Sequence, residues 1–166
     1  MSLVIPQPVL KGRKARVVGV ANNSSIAYGC ARAFHELGAD LAVTYLNEKA
    51  RPHVEPVVAE LAPSIFMPLD VSVPGELETL FGAIERDWGH LDILVHAMSP
   101  GPLKTRAASG LKDFDLLLAE AAQKAPLGEG VDIMDVGFTC AYLATPYARR
   151  VSGGTIYVDG GVNIMA

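Results

Sequence analysis

A glycine, a polar run and a second glycine stand at Gly19-Val20-Ala21-Asn22-Asn23-Ser24-Ser25-Ile26-Ala27-Tyr28-Gly29. The run follows an apolar stretch, Ala15 to Val20, and opens an amphipathic helical pattern. A glycine at a strand end lets the backbone turn tightly and approach a ligand closely. Serines at a helix start accept from some orphan backbone N–H groups and leave others facing outward. Such a turn suits a pyrophosphate, because the amides and the helix dipole both favour an anion there. The pattern is not a simple G-x-G-x-x-G, since Gly19 and Gly29 are its only glycines.

Other residues could serve the same ligand. Asp70-Val71 closes a strand pattern, where an aspartate can accept from an adenine amino group or cap a loop. Tyr45-Leu46-Asn47-Glu48 ends another, and Glu48 is a candidate to grip an adenosine ribose if the strand runs that far. His96 ends a fourth; it could act as a base, but it reads as a hydrogen-bonded structural imidazole. Ser99-Pro100-Gly101-Pro102-Leu103-Lys104-Thr105 is a rigid loop that can bring backbone and a hydroxyl over a bound ring. Tyr45 and Lys49 have a Tyr-x-x-x-Lys spacing, but they lie on the adenosine side, away from any hydride transfer. No catalytic residue and no metal ligand set is assigned.

The elements that position these residues alternate. Strands are expected at 15–20, 40–46, 64–70, 91–97 and 155–159, most of them near-continuous apolar runs typical of parallel strands covered on both faces. Helices are expected at about 25–37, 48–61, 74–88, 112–125 and 132–144. Gly38 suits a C′ position and Asp132 an N-cap. Pro52 and Pro56 should delay or kink the second helix, and Pro74 should stand near the start of the third. Pro68 places the third strand on a sheet edge. The alternation predicts an α/β fold, a shortened Rossmann-like doubly wound parallel sheet of about five strands in the order 3-2-1-4-5. Residues 1–166 read as a single domain.

Composition agrees. Half of the 166 residues are hydrophobic and 19% are charged, which excludes disorder. A net charge of −4 gives no electrostatic footprint for nucleic acid. Lys11, Arg13, Lys14 and Arg16 read as a solvated lead-in to the first strand. Cys30 and Cys140, without C-x-x-C or Cys/His spacing, read as reduced core residues of a cytoplasmic protein. No apolar run suits a membrane span and no secretion signal is expected at the N-terminus.

The residues together resemble a family. Gly19-Val20-Ala21 with Ile26-Ala27-Tyr28-Gly29, Thr44-Tyr45, Asp70-Val71, Val95-His96-Ala97, Gly101-Pro102-Leu103-Lys104-Thr105 with Ala107-Ala108-Ser109-Gly110, and Val158-Asp159-Gly160-Gly161 carry it. The chain resembles the short-chain dehydrogenase/reductases and, within them, the bacterial enoyl-acyl carrier protein (ACP) reductases. The resemblance implies an NAD(H)-binding Rossmann-like fold, with NADP(H) left open, and a parent activity that reduces an acyl thioester double bond in fatty-acid synthesis. It implies that Gly19, Ser25 and Ile26 contact diphosphate and ribose, with Ala21 among the cofactor-binding residues. It further implies that Asp70 and Val71 hold the adenine, that Ala97 lies beside the nicotinamide ribose, and that Leu103 and Thr105 lie against the carboxamide. Leu46, on the adenosine side, stands where the family commonly has a glutamine.

The departure from the family is as specific as the likeness. Family members have roughly a hundred more residues, in a block between the fourth strand and the Ser99 loop. Val-His-Ala-like strand ends flank that block, and here one Val95-His96-Ala97 serves both sides, so the family segment is missing near residues 97–99. By the resemblance, the block carries the catalytic tyrosine and lysine, the substrate surface and the tetramer helices. The expected protein is an in-frame internal deletion that binds a dinucleotide and reduces an enoyl thioester weakly or not at all. The alternative is a non-catalytic nucleotide-binding or self-associating module. Either should form a homodimer or higher assembly through the exposed last strand or helix face.

Overall fold

A computed structural model of the chain describes residues 8–96, 102–105, 108–110 and 112–165. Its sheet is built from β1 (Lys14–Val17), β2 (Asp40–Tyr45), β3 (Ile65–Pro68) and β4 (Ile93–Val95). The helices are α1 (Ile26–Glu36), α2 (Arg51–Val58), α3 (Glu76–Trp88), α4 (Phe114–Lys124) and α5 (Ile133–Leu143). All pairings are parallel and the strand order is β3-β2-β1-β4. The α/β doubly wound reading and its first four positions hold.

Side-chain alternation explains the two layers. Ala15, Val17, Leu41, Val43 and Tyr45 point to one face, where α1, α2 and α5 supply Phe34, Val54, Val58 and Val136. Ala42 and Ile65 point to the other, where α3 supplies Leu80 and Ile84. Period-two alternation on a sheet buried on both faces gives this split directly. Pro68 ends β3 on the sheet edge, paired with Tyr45, where a missing N–H costs no ladder bond. Gly38 has φ +88° after α1, as its C′ place requires. Asp132 caps α5 through a reciprocal box, accepting from the Met134 and Asp135 amides while Asp135 accepts from the Asp132 amide. Pro52 lies in the first turn of α2 and Pro56 inside it, and the helix tightens to a 3₁₀ turn at Ala59–Leu61.

Two expectations are corrected. The fifth strand does not form. Residues 155–158 make no ladder with β4, so the sheet of the described residues ends at β4 and the order is 3-2-1-4. Val158 packs on the core, but Ile156 and Tyr157 are exposed; an apolar segment with no neighbouring strand has nothing to pair with. The basic lead-in is not a uniformly solvated run either. Lys14 pairs with Asp40, Arg13 with Asp92 at 2.7 Å, and Arg16 lies inside β1, buried with its Nε unpartnered and its guanidinium 5.4 Å from the Phe81 ring.

Candidate functional site

Because the strands are parallel, their carboxyl ends lie at one end of the sheet, where the expected ligand residues also fall. β1 runs into the loop from Val18 to Ser25. The Val18 amide donates to the Val95 carbonyl at 3.1 Å, which ties that loop to the end of β4. Gly19 has φ +86° and no atom within 4 Å of where a Cβ would stand. The position therefore requires glycine for its backbone, and the space beside it is open.

Asn22 shapes the rest of the turn. Its Oδ1 accepts from the Ser24 amide at 2.9 Å, and its carbonyl accepts from the Ser25 amide and from Ser25 Oγ. Ser25 Oγ in turn accepts from the Tyr28 amide at 3.2 Å, so this serine is the N-cap of α1. Its hydroxyl is committed to the loop. The Ile26 and Ala27 amides, in the first turn, have no acceptor among the described residues. Unpartnered amides at a helix N-terminus are groups that can receive an anion. Asn22 was missed by the sequence reading, although an asparagine two residues before a polar amide is an Asx-turn signal.

The expected adenosine side lies at the ends of β2 and β3. Leu69 N–H donates to the Tyr45 carbonyl at 2.8 Å, which keeps the two strand ends together past Pro68. Asp70 Oδ1 accepts from the Ser72 amide and hydroxyl at 2.9 and 2.6 Å, and these bonds hold its carboxyl below the usual range. Oδ2 of Asp70 has no partner among the described residues. Glu76, also unnoticed in the sequence, accepts from the Asp70 amide at 2.6 Å and fixes this turn to the start of α3. Val71 and Leu46 are exposed.

Tyr45 is buried, stacks obliquely on Phe66 and donates to Glu48 at 2.8 Å. Burial and then the Glu48 hydrogen bond push its hydroxyl above the ordinary tyrosine range. The Tyr45–Lys49 spacing is thus a core tyrosine followed by an exposed lysine, and Glu48, also 3.9 Å from Arg51, is already engaged. Tyr28 is engaged in the same way by Glu60. Tyr142 and Tyr147 are exposed on α5 and just after it.

The residues expected on the nicotinamide side are only partly within the described residues. Ala97, Ser99, Pro100, Gly101 and Ala107 lie outside them. Leu103 is buried in the main core, and Thr105 Oγ1 accepts from the Ala108 amide at 3.2 Å, capping a 3₁₀ turn at Ala108–Gly110. His96 is exposed and has no side-chain hydrogen bond among the described residues. Asp159, Gly160 and Gly161 do form the expected tight turn, with Asp159 accepting from Gly161 and Asn163 at 2.9 Å each.

A second feature was not expected. A trench of about 670 Å³ runs the length of β4, from Arg13 and Asp92 at one end to His96 at the other. Its far wall is Cys140, Leu143 and Pro146. Leu94, between Ile93 and Val95, also lines the trench and is about half exposed. Among the described residues no group of His, Cys, Asp and Glu could hold a metal, and no helix is long and apolar enough to cross a membrane.

Comparison with known proteins fits this geometry. The family described as enoyl-(acyl carrier protein) reductase matches residues 19–99 and, separately, residues 95–163, so residues 95–99 fit both parts. An NADH enoyl-acyl-carrier-protein reductase of Nostoc sp. is 32% identical over 253 positions, covering 94% of this chain and 98% of that protein. One from Salmonella typhimurium is 26% identical over 252 positions, covering 95% and 96%. Both alignments are longer than the 166 residues of this chain. The Bacillus cereus enzyme, solved with NADP+ and indole naphthyridinone, superposes with a TM-score of 0.88 over 93% of this chain and 98% of that one, at 24% identity.

Proposed function

The chain belongs to the enoyl-(acyl carrier protein) reductase family, and from that premise we propose that it binds a nicotinamide dinucleotide, NAD(H) first, while turning over an enoyl thioester weakly or not at all. The observation that carries the binding half is the Gly19–Ala27 turn. It offers an open glycine and two unpartnered amides at a helix N-terminus, at the same sheet end as Asp70 Oδ2. Pyrophosphate would sit on the Ile26 and Ala27 amides beside Ala21, and the adenine amino group would donate to Asp70 with Val71 and Leu46 against the base. Ala97, Leu103 and Thr105 would border the nicotinamide. Each polar group offered suits the part of the ligand it would meet, so the residues present fit the dinucleotide.

Bound there, the cofactor supplies hydride. The chain would have to supply a proton and hold the thioester. An acid of that kind must stand beside the nicotinamide, within hydrogen-bond reach of the substrate oxygen. Tyr28 and Tyr45 are occupied by glutamates, and Tyr45 belongs to the adenosine side. Alignments longer than the chain, with 95–99 matched twice, support an in-frame loss of the block between β4 and Pro102. Loss of an acid–base group costs on the order of 10²–10⁴ in rate, and loss of substrate positioning adds to that.

The second reading is self-association. β4 ends the sheet with Leu94 about half exposed, and such an edge pairs readily with another chain. A homodimer would use β4 rather than the last segment.

NADH oxidation with a crotonyl thioester tests turnover. The expected rate is at least about a hundredfold below that of a full-length relative assayed alongside; a comparable rate would overturn the proposal.

A further inference from the structure

Helices α1 and α5 touch backbone to backbone. A Cβ added at Gly29 would lie 2.2 Å from the Ile133 carbonyl oxygen, and one added at Gly137 would lie 2.3 Å from the Gly29 carbonyl oxygen. Only a glycine on each helix permits this approach. It is closer than ordinary helix packing, where side chains hold the axes about 8–10 Å apart.

Two thiols flank the contact. Cys30 follows Gly29 on α1, and Cys140 stands one turn beyond Gly137 on α5. Both are buried and reduced, and they lie in one core cluster. Their sulfurs are hydrogen-bonded to each other. Cys140 also lines the open trench beside β4, whereas Cys30 does not. One sulfur of the pair therefore meets a solvent-connected space and the other stands behind it. The hydrogen bond that the Cys30 thiol donates to the Cys140 sulfur, followed by burial, pushes Cys30 up, while the same bond, accepted by Cys140, brings Cys140 down. The more readily ionised sulfur is the one at the trench.

We propose that Cys30 and Cys140 are a peroxide-sensitive dithiol that closes to an intrachain disulfide bolting α1 to α5. Cys140 is the attacking sulfur and Cys30 the resolving one. The Cys140 thiolate attacks one peroxide oxygen, the O–O bond breaks, and the departing oxygen leaves as water or alcohol after taking a proton. Cys140 is then a sulfenic acid. Cys30 gives up its proton and attacks the Cys140 sulfur; the S–S bond forms, the S–O bond breaks, and hydroxide leaves with that proton as water. The two thiols lose two electrons and two protons, and hydrogen peroxide is reduced to two waters. Closing the bond requires Cα atoms within about 7 Å, and Cys30 and Cys140 stand one and three residues from the two glycines at which the helix backbones touch.

The pair lies apart from the dinucleotide loop, and the inference does not depend on cofactor binding. Its test uses the whole chain, fully reduced and then treated with hydrogen peroxide. Intact mass should fall by two hydrogen atoms, peptide mapping should find Cys30 joined to Cys140, and dithiothreitol should reverse both. The melting temperature should rise by about 5–15 °C, since the link closes a long loop of the unfolded chain. In Cys30→Ser, dimedone should capture a sulfenic acid at Cys140. In Cys140→Ser, Cys30 should stay reduced under the same treatment. Wild-type protein whose thiols both remain open to alkylation after unfolding, gain oxygen without joining, or join between chains overturns the proposal. Oxidation of Cys30 in Cys140→Ser as fast as in the wild type overturns the assignment of attacker and resolver.

Discussion

The two sides of β1 differ sharply. On one side β2 and β3 continue the sheet, α1, α2 and α3 cover both faces, and every strand end carries a loop fixed by its own hydrogen bonds. On the other side β4 has three residues, a bare edge, a trench and a half-exposed leucine. The loops proposed to hold the nucleotide belong mostly to the first side. The residues that would meet a substrate belong to the second. A Rossmann-like sheet can thus stay well covered on one side of its first strand while the other side is short, because each βα unit buries its own face against a neighbour. At β4, Leu94 is about half exposed and no described strand pairs with residues 155–158.

The contrast can be broken most forcefully at the α1–α5 contact, which joins the two sides. Gly29→Val places a branched side chain into the α5 backbone and should cost about 3–5 kcal/mol in chemical denaturation, or prevent folding. The two sides can then be compared directly. Phe34→Ala, at a fully buried position of α1, should cost about 3–5 kcal/mol. Leu94→Ala, at a half-exposed position of β4, should stay within about 0.5 kcal/mol. A large, concentration-dependent loss at Leu94 would instead mean that a second copy covers it.

A smaller effect is expected at the start of β4. The Lys14 amide and Arg13 hold the Asp92 carboxyl below its usual value against the opposing effect of burial. Its folded-state value is lower than the unfolded one, so it stabilises above the unfolded value and ceases to do so as pH falls through the folded one. Asp92→Asn should cost about 1–2 kcal/mol at neutral pH, and the gap to wild type should close in acid. At the low end, Arg16→Met should raise stability by about 1 kcal/mol by removing a buried guanidinium whose Nε lacks a partner. Thermal melts of both chains side by side read the sign.

Much of the well-covered side was legible in the sequence. Apolar runs marked β1 to β3, Pro68 marked the edge, and Gly19 with Ser25 marked the turn and its cap, because each is a local rule that tertiary packing agrees with. The bare side was less legible. Thr155 to Asp159 has a strand composition, but a strand exists only with a neighbour, and neighbours are a property of the whole chain. Arg16 looked like part of a charged lead-in because its burial comes from alternation along β1, which charge runs hide. The thiol contact was invisible for the same reason: Cys30 and Cys140 are far apart in sequence and meet only because Gly29 and Gly137 let two helices touch.

The account stands most directly on whether the Gly19 turn still holds a dinucleotide. Titrating the protein into NADH while following its fluorescence, with Gly19→Val as the comparison, measures this. Saturable binding at micromolar to low millimolar NADH, weakened at least about tenfold by a side chain at a position with φ +86°, is the expected result. No binding by the wild-type chain at millimolar NADH would contradict it.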